Sequence, residues 1–561
     1  MMKTLSALIF STVLLTACGG GGGSAGSCVG SSAVCSGAAS AGATAPGSVA
    51  PAVLPAAVGN AIFAASASVA GVCAAPRPAG SIDAFTGAAY NDVQGSIGDE
   101  LVWIRSFVNE TYLWFDEVPA IDLAQYFVGA TVTQYAAADN RPASRTLATT
   151  ADVSDAFFAS QRTPLTTASG KPKDQFHFTY PTPEWSALSQ AGSSIGYGFD
   201  AVLLSARVPR KVLVAFTTPG STAAANGLVR GTEFVSAEGV DIVSGAATAT
   251  INEALFSPVA GKTYTFGVLD PGSTVVRSIS MTAASVISTP VQNVAVLPVA
   301  GASVGYILFN DHIATAEAQL IAAVNTLNAA NGGAGVSDLV LDLRYNGGGY
   351  ADIAAELAYM IAGGNATSGK VFEAFTVNRK QPFGAKRPAA IGFHAQAVGF
   401  STASGTPLPQ LALPRVFVLT GANTCSASES IINGLRGAGV TVIQIGGTTC
   451  GKPYGFFPEE NCNTTYFAVQ FKGVNDVGFG DYADGFVPGG SATAGNNLPG
   501  CAVADDFTRA LGDPLEGRLA AALAYRADGV CPATVSKRAQ AAPEPVLVRS
   551  ALRENAWLRH R

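Results

Sequence analysis

Ser426 and Lys452, 26 positions apart (452 minus 426), are the residues of this chain whose types and surroundings suit covalent chemistry. A serine hydroxyl is a weak nucleophile until a base takes its proton. Lysine can be that base only if its pKa falls far below the ordinary ~10.4, which burial achieves by disfavouring the charged form. Lys452 runs into Pro453, Tyr454, Gly455, Phe456 and Phe457, with no acidic residue before Glu459, so its neighbourhood is apolar. An acyl-transfer intermediate also needs two N–H donors for its oxyanion. The Ala427 amide, at a helix start, offers one. The other is expected from Gly347, Gly348 and Gly349, where glycine lets backbone approach a ligand, and Gly348 is favoured.

These residues need elements that bring them together. From about residue 295 the pattern alternates strands with helices: SVGYILF, TAEAQLIAAVNTLNAANGG, SDLVLDLRYNGGG, ADIAAELAYMIAGG, RVFVLTG, SESIINGLRGAG and VTVIQIGG. Such alternation predicts right-handed crossovers and a largely parallel sheet. Functional groups gather at the carboxyl edge of such sheets. RVFVLTG would deliver Ser426 there, VTVIQIGG would deliver Lys452, and LVLDLRYNGGG the glycine turn. Asp342 and Arg344 are expected to tie the strand end to that turn.

Two other textures precede this one. GDELVWIRSFVNETYLWFDEV, from Gly98, has helical spacing with Trp103, Tyr112 and Trp114 as core, and residues 125–167 read as helices with loops. From Ser194, short strands alternate with Gly and Pro turns, as in a small β-domain. There Gly196-Tyr197-Gly198-Phe199 resembles the carboxylate-binding loop of PDZ domains, and PGSTAAANGLVRGTEFV resembles a later PDZ segment. A nest of N–H groups beside an exposed strand edge could hold a peptide's terminal carboxylate.

Composition excludes some classes. With 48% apolar residues and 13% charged ones the chain is too apolar for disorder. A net charge of −6 with no basic stripe excludes a nucleic-acid partner. MMKTLSALIFSTVLLTAC reads as a secretory signal whose LTAC ending resembles a bacterial lipobox, with Cys18 the lipidated residue and GGGGGS a tether. Gly19 in place of aspartate favours an outer-membrane anchor, periplasmic or at the cell surface. The membrane would be met only through that lipid. Cys28, Cys35, Cys73, Cys425, Cys450, Cys462, Cys501 and Cys531 remain, an even number that reads as disulfides. Cys450–Cys462 and Cys501–Cys531 are the pairs expected first. No C-x-x-C exists and the four histidines are scattered, so neither metal nor cofactor is expected.

TCSASE, DLRYNGGG and the later GK, with the PDZ-like insertion, resemble the C-terminal-processing (tail-specific) serine peptidases, over about 76–530. KDQFHFTY resembles that family's entry segment. The resemblance implies an α/β catalytic domain with a ClpP/crotonase-like βα core, an inserted PDZ-like β-domain and a small, mainly helical N-terminal domain. The expected divisions are 1–18 lipoprotein signal, 19–75 tether, 76–190 helical domain, 191–290 PDZ-like domain, 291–535 peptidase domain and 536–561 disordered tail. Carried over by position, Ser426 is the nucleophile, Lys452 the general base and Ala427 an oxyanion donor. The implied substrates are peptides or unfolded proteins with free apolar C-termini. Two departures stand out: the Ser–Lys gap is one residue longer, and the family's lysine-orienting glutamine is replaced by Phe456. Tyr454 or a backbone carbonyl would then orient the lysine.

Two rivals stay in view. His177, with Asp484, could complete a Ser–His triad, whereas His312, His394 and His560 lack a supporting context. Ser426 could be only a helix N-cap in a peptide-binding scaffold. An α/β-hydrolase esterase does not fit, because GGSAG, GSSIG and GASVG do not open into helices. No Ser stands three residues before any Lys, which excludes a penicillin-binding enzyme.

Overall fold

The computed structural model describes residues 63–84, 87–135, 142–299, 301–380, 382, 389–489, 495–532 and 544–548, with the backbone of 557–558. Cys18, Cys28, Cys35 and His560, and so the signal and lipidation readings, lie outside the described residues. No helix among the described residues is long and apolar enough to cross a membrane.

The N-terminal part holds α1 (Ile97–Thr111), α2 (Thr150–Ser160) and α3 (Thr182–Ala191). Capping boxes open the first two, Ser96 with Asp99 and Thr149 with Asp152, satisfying amides at each helix start. Trp103 and Tyr112 are buried as core residues, and Trp114 packs edge-on against Tyr454. Two expectations need correcting. Residues 131–135 and 142–146 form an antiparallel hairpin, not helix, because exposed TVTQY alternates with period two. The tether does not extend to residue 75. Cys73 is bonded to Cys462 and Gly71 N–H donates to Asn461, which pins residues 71–73 to the body.

An antiparallel sheet follows. It is preceded by β1 (Ser193–Gly196), which pairs apart from it with residues 284–287. Its strands are β2 (Phe199–Ser205), β3 (Lys211–Thr217), β4 (Glu233–Ala237), β5 (Thr263–Leu269) and β6 (Val276–Thr282), with α4 (Thr248–Phe256) between β4 and β5. The main sheet runs β6-β5-β4-β3-β2. It wraps a core of its own, including Val212, Val214, Phe234, Ile251, Phe266 and Met281.

The larger sheet is built from β7 (Val291–Val299), β8 (Ala302–Phe309), α5 (Ala316–Asn328), β9 (Asp338–Asp342), α6 (Ala351–Thr367), β10 (Arg415–Thr420), α7 (Ala427–Gly437), β11 (Thr441–Gly446) and β12 (Gly500–Ala502), closed by α8 (Gly517–Asp528). Its order is β7-β8-β9-β10-β11-β12, antiparallel at the first pair and parallel thereafter. Strands 339–342 and 416–420 are buried throughout, as strands covered on both faces must be. Arg344 is fully buried among Asp342, Asp505 and Glu516 and does tie the strand end to its turn.

The expected disordered tail, 536–561, departs from expectation at two places, one of them residues 557–558, whose backbone pairs in parallel with Gly349–Tyr350. Residues 544–548 are not a free tail: β13 (Val546–Val548) pairs antiparallel with β2 at the edge of the first sheet. Its Val-Leu-Val sequence suits a strand with an open neighbour.

Candidate active site

Strands β10 and β11 lie side by side in parallel register and each ends in a short loop at the same edge. The first loop leads through Thr424 and Cys425 to Ser426, where α7 begins, and the second leads to Lys452. Cys425 and Cys450 are joined by a disulfide, with Cα atoms 5.2 Å apart. The loops are therefore covalently linked one residue before the serine and two before the lysine. Their sulfurs lie near the Glu429 carboxylate, but as a disulfide they offer no thiolate to a metal.

Glu429 holds the two loops by their main chains. One carboxylate oxygen accepts from Ser426 N–H at 3.0 Å and from Lys452 N–H at 2.8 Å. The other accepts from Gly451 N–H at 2.9 Å and Thr449 Oγ1 at 2.5 Å. It stands at the third helical position after Ser426, so S-x-x-E supplies the carboxylate arm of a capping box. Burial raises its pKa despite these donors.

Ser426 has φ +57 and ψ −120, a conformation non-glycine residues rarely adopt and one costing about 1–3 kcal/mol. The cap, the disulfide and the strand–turn–helix geometry over-determine it. Its hydroxyl is fully buried and makes no hydrogen bond among the described residues. Lys452 is 1% exposed and its Nζ has no hydrogen-bond partner either. That nitrogen lies 4.3 Å from the centroid of the Phe456 ring and 4.7 Å from that of Phe176. Burial holds the Lys452 pKa well below the usual lysine range, with the Asp174 and Glu429 charges opposing the shift. An amine whose charged form burial disfavours is suited to accept a proton, and the adjacent loop presents a hydroxyl that has one to give.

Residues 303–461 match the model of Peptidase family S41. That stretch includes both Ser426 and Lys452, and the chain is a serine peptidase. Among solved structures it is similar to an S41 protease of Bacteroides fragilis NCTC 9343, with 23% identity and a TM-score of 0.54 over 76% of this chain and 97% of that one. A photosystem II D1 C-terminal processing protease aligns at 18% identity and a TM-score of 0.41, over 76% of this chain and 100% of that one. No curated protein matches the chain.

In this peptidase the glycine turn lies against the serine. A methyl group on Gly348, at φ +104, would sit 2.8 Å from Ser426 Cβ, so only glycine fits there. The Gly348 N–H, however, donates to Asn346 Oδ1 at 3.0 Å. The expected oxyanion donor is thus already engaged, because Asn346 organises the turn from within. The same oxygen meets His312 Nδ1 at 2.9 Å, and the Asn346 carbonyl accepts from Cys425 N–H and Ser428 Oγ. Ala427 N–H begins α7 and has no acceptor among the described residues, as expected of a first-turn amide.

No described histidine hydrogen-bonds the Ser426 hydroxyl. His177 lies 3.5 Å from Asp174, under the Phe158 ring, while Asp484 is half-exposed beside Ser169 and Lys171. The His177–Asp484 pair is not assembled. His312 is fully buried beside the glycine turn, and burial lowers its pKa to about 3. Among the described residues neither Tyr454 nor a carbonyl holds the Lys452 amine; the Phe176 and Phe456 rings flank it instead. The expected Cys450–Cys462 pair is corrected to Cys425–Cys450 and Cys73–Cys462, whereas Cys501–Cys531 forms as expected.

Sequence reasoning missed Glu429, Asn346 and Phe176. The S-x-x-E spacing was the signal available for the first. Asn346 stands inside the NGGG turn, but neither its role as that turn's internal acceptor nor the approach of Phe176 from 276 positions away (452 minus 176) has a local signal. Gly196, Tyr197, Gly198 and Phe199 line a cavity between β2 and α4 together with Thr218, Leu255 and Phe256. Tyr197 itself is a core residue whose hydroxyl donates to Ala254 O at the helix end.

Proposed function

We propose that Ser426 and Lys452 form a Ser–Lys dyad that cleaves peptide bonds of exported or unfolded proteins. The observation carrying this reading is the pair of buried, unpartnered groups, one hydroxyl and one lysine amine, on loops bound through a single carboxylate. Lys452 Nζ takes the hydroxyl proton as Ser426 Oγ attacks the scissile carbonyl. The negative oxygen is received by Ala427 N–H and by an N–H of the 347–349 turn, with Gly348 available once it turns from Asn346. Lysine then protonates the leaving amine, and water resolves the acyl-enzyme by the same proton path. Ser426 and Lys452 are buried, so substrate entry requires the covering segments to move.

The Gly196–Phe199 loop is read as the site that engages a substrate's free apolar C-terminus, in a PDZ-like domain. The LTAC segment supports export and lipidation at Cys18, and hence an outer-membrane anchor. The burial of both groups also favours a second reading, a peptide-binding scaffold with a silent site. A serine-directed fluorophosphonate separates the two. Labelling at Ser426 that Lys452→Ala abolishes supports the dyad, and absence of labelling with peptide binding retained supports the scaffold. Lys452→Arg should fail as well, since a guanidinium stays protonated.

A further inference from the structure

Residues 544–548, Glu-Pro-Val-Leu-Val, are held by the body as a bound peptide would be. The Glu544 carboxylate accepts two hydrogen bonds from the buried Arg518, at 2.9 and 3.0 Å. It rests in a cradle of glycines: a methyl group on Gly421 would lie 3.0 Å from it, and one on Gly447 2.4 Å. Those two glycines directly follow β10 and β11, the strands that deliver the serine and the lysine. Next, Asn423 grips the main chain twice, donating from Nδ2 to Pro545 O and accepting from Leu547 N–H, each at 3.0 Å. Asn423 precedes Ser426 by three residues.

Beyond that clamp, Val546, Leu547 and Val548 pair with Leu203, Val202 and Ala201. The segment runs antiparallel to β2, with its C-terminal direction toward Phe199 and the glycine loop. Leu547 is buried, and Val548 lines the same cavity as Gly196–Phe199, Leu255 and Phe256. An extended peptide added to this strand edge with its end toward the loop would run the same way and need the same main-chain bonds.

We propose that residues 544–548 are a built-in ligand of the peptide groove, which an incoming apolar C-terminus must displace, with Asn423 as the residue that receives the peptide main chain. This rests on the reading of the Gly196–Phe199 groove as the peptide site. Covalent attachment keeps the segment at high effective concentration, so short apolar peptides compete poorly and longer unfolded chains fare better. Displacement also removes the clamp on Asn423, which links groove occupancy to the loop that carries Ser426.

The probe is the peptide Glu-Pro-Val-Leu-Val with a free carboxylate and an N-terminal fluorophore, read by anisotropy. It is titrated into the full chain, into full-length Leu547→Asp, and into a chain ended after Pro543. A groove open a tenth of the time binds about tenfold more weakly than an open one, so both variants should bind the probe about tenfold more tightly. Equal affinity for all three proteins would overturn the built-in ligand while keeping the groove. Binding to none of them would overturn the groove reading itself. Should both variants misfold, the unaltered chain decides: saturating peptide should expose the Leu547 amide to hydrogen exchange, and unchanged protection refutes the displacement.

Discussion

Glu429→Gln tests whether one buried carboxylate assembles the dyad. In the wild type its two oxygens receive four donors, Ser426 N–H and Lys452 N–H on one, Gly451 N–H and Thr449 Oγ1 on the other. Glutamine keeps one acceptor oxygen and replaces the other with an NH2. The less costly placement leaves the carbonyl on Ser426 and Lys452 and turns the NH2 toward Thr449, whose hydroxyl can reverse and accept. Gly451 N–H is then a buried donor without a partner, at a cost of about 1–3 kcal/mol. The opposite placement strands Ser426 and Lys452 and costs roughly twice that. Alanine orphans all four donors, about 4–12 kcal/mol, comparable with a whole domain's stability. Urea unfolding should therefore rank wild type above Gln, and Gln above Ala. A loop shift near 1 Å in the dyad costs on the order of 10²-fold in rate, so kcat/KM should fall by about that much in the Gln variant. A Gln variant with wild-type stability and wild-type kcat/KM would refute the reasoning.

Lys452→Met should abolish turnover yet stabilise the protein near neutral pH. The folded pKa is depressed, so the unfolded chain binds the extra proton below its own ~10.4; the wild type's deficit should shrink as pH rises toward that value, measured by urea unfolding at several pH values. Replacing Cys425 and Cys450 together by serine opens a loop of sequence separation 25, worth about 3.5 kcal/mol of chain entropy. Turnover should drop with it, while replacing Cys501 and Cys531 lowers stability alone. Burial, with the Glu317 charge adding to it, holds Glu356 at about 9 against the opposing Val398 N–H. Because the folded pKa is raised, stability should fall as pH climbs from about 4.5 to 9, by up to about 1.4 kcal/mol per unit, and Glu356→Gln should flatten that decline.

The sequence by itself determined what depends on neighbours along the chain. The alternation of buried β-branched runs with amphipathic helices specified β8 to β11 and their order, because period and crossover handedness are local properties. It also placed Ser426 and Lys452 at the ends of adjacent parallel strands, since one crossover spans their 26 positions. Tertiary structure alone decided which distant groups meet there. Phe176 reaches Lys452 from the helical part, and His312 meets the Asn346 side chain of the glycine turn from 34 positions away. Cysteine pairing is combinatorial, so Cys425–Cys450 could not be chosen over Cys450–Cys462 before the two loops were seen together. The segment 544–548 reads as featureless in sequence, because three apolar residues become a strand only when an open edge such as β2 supplies their hydrogen bonds.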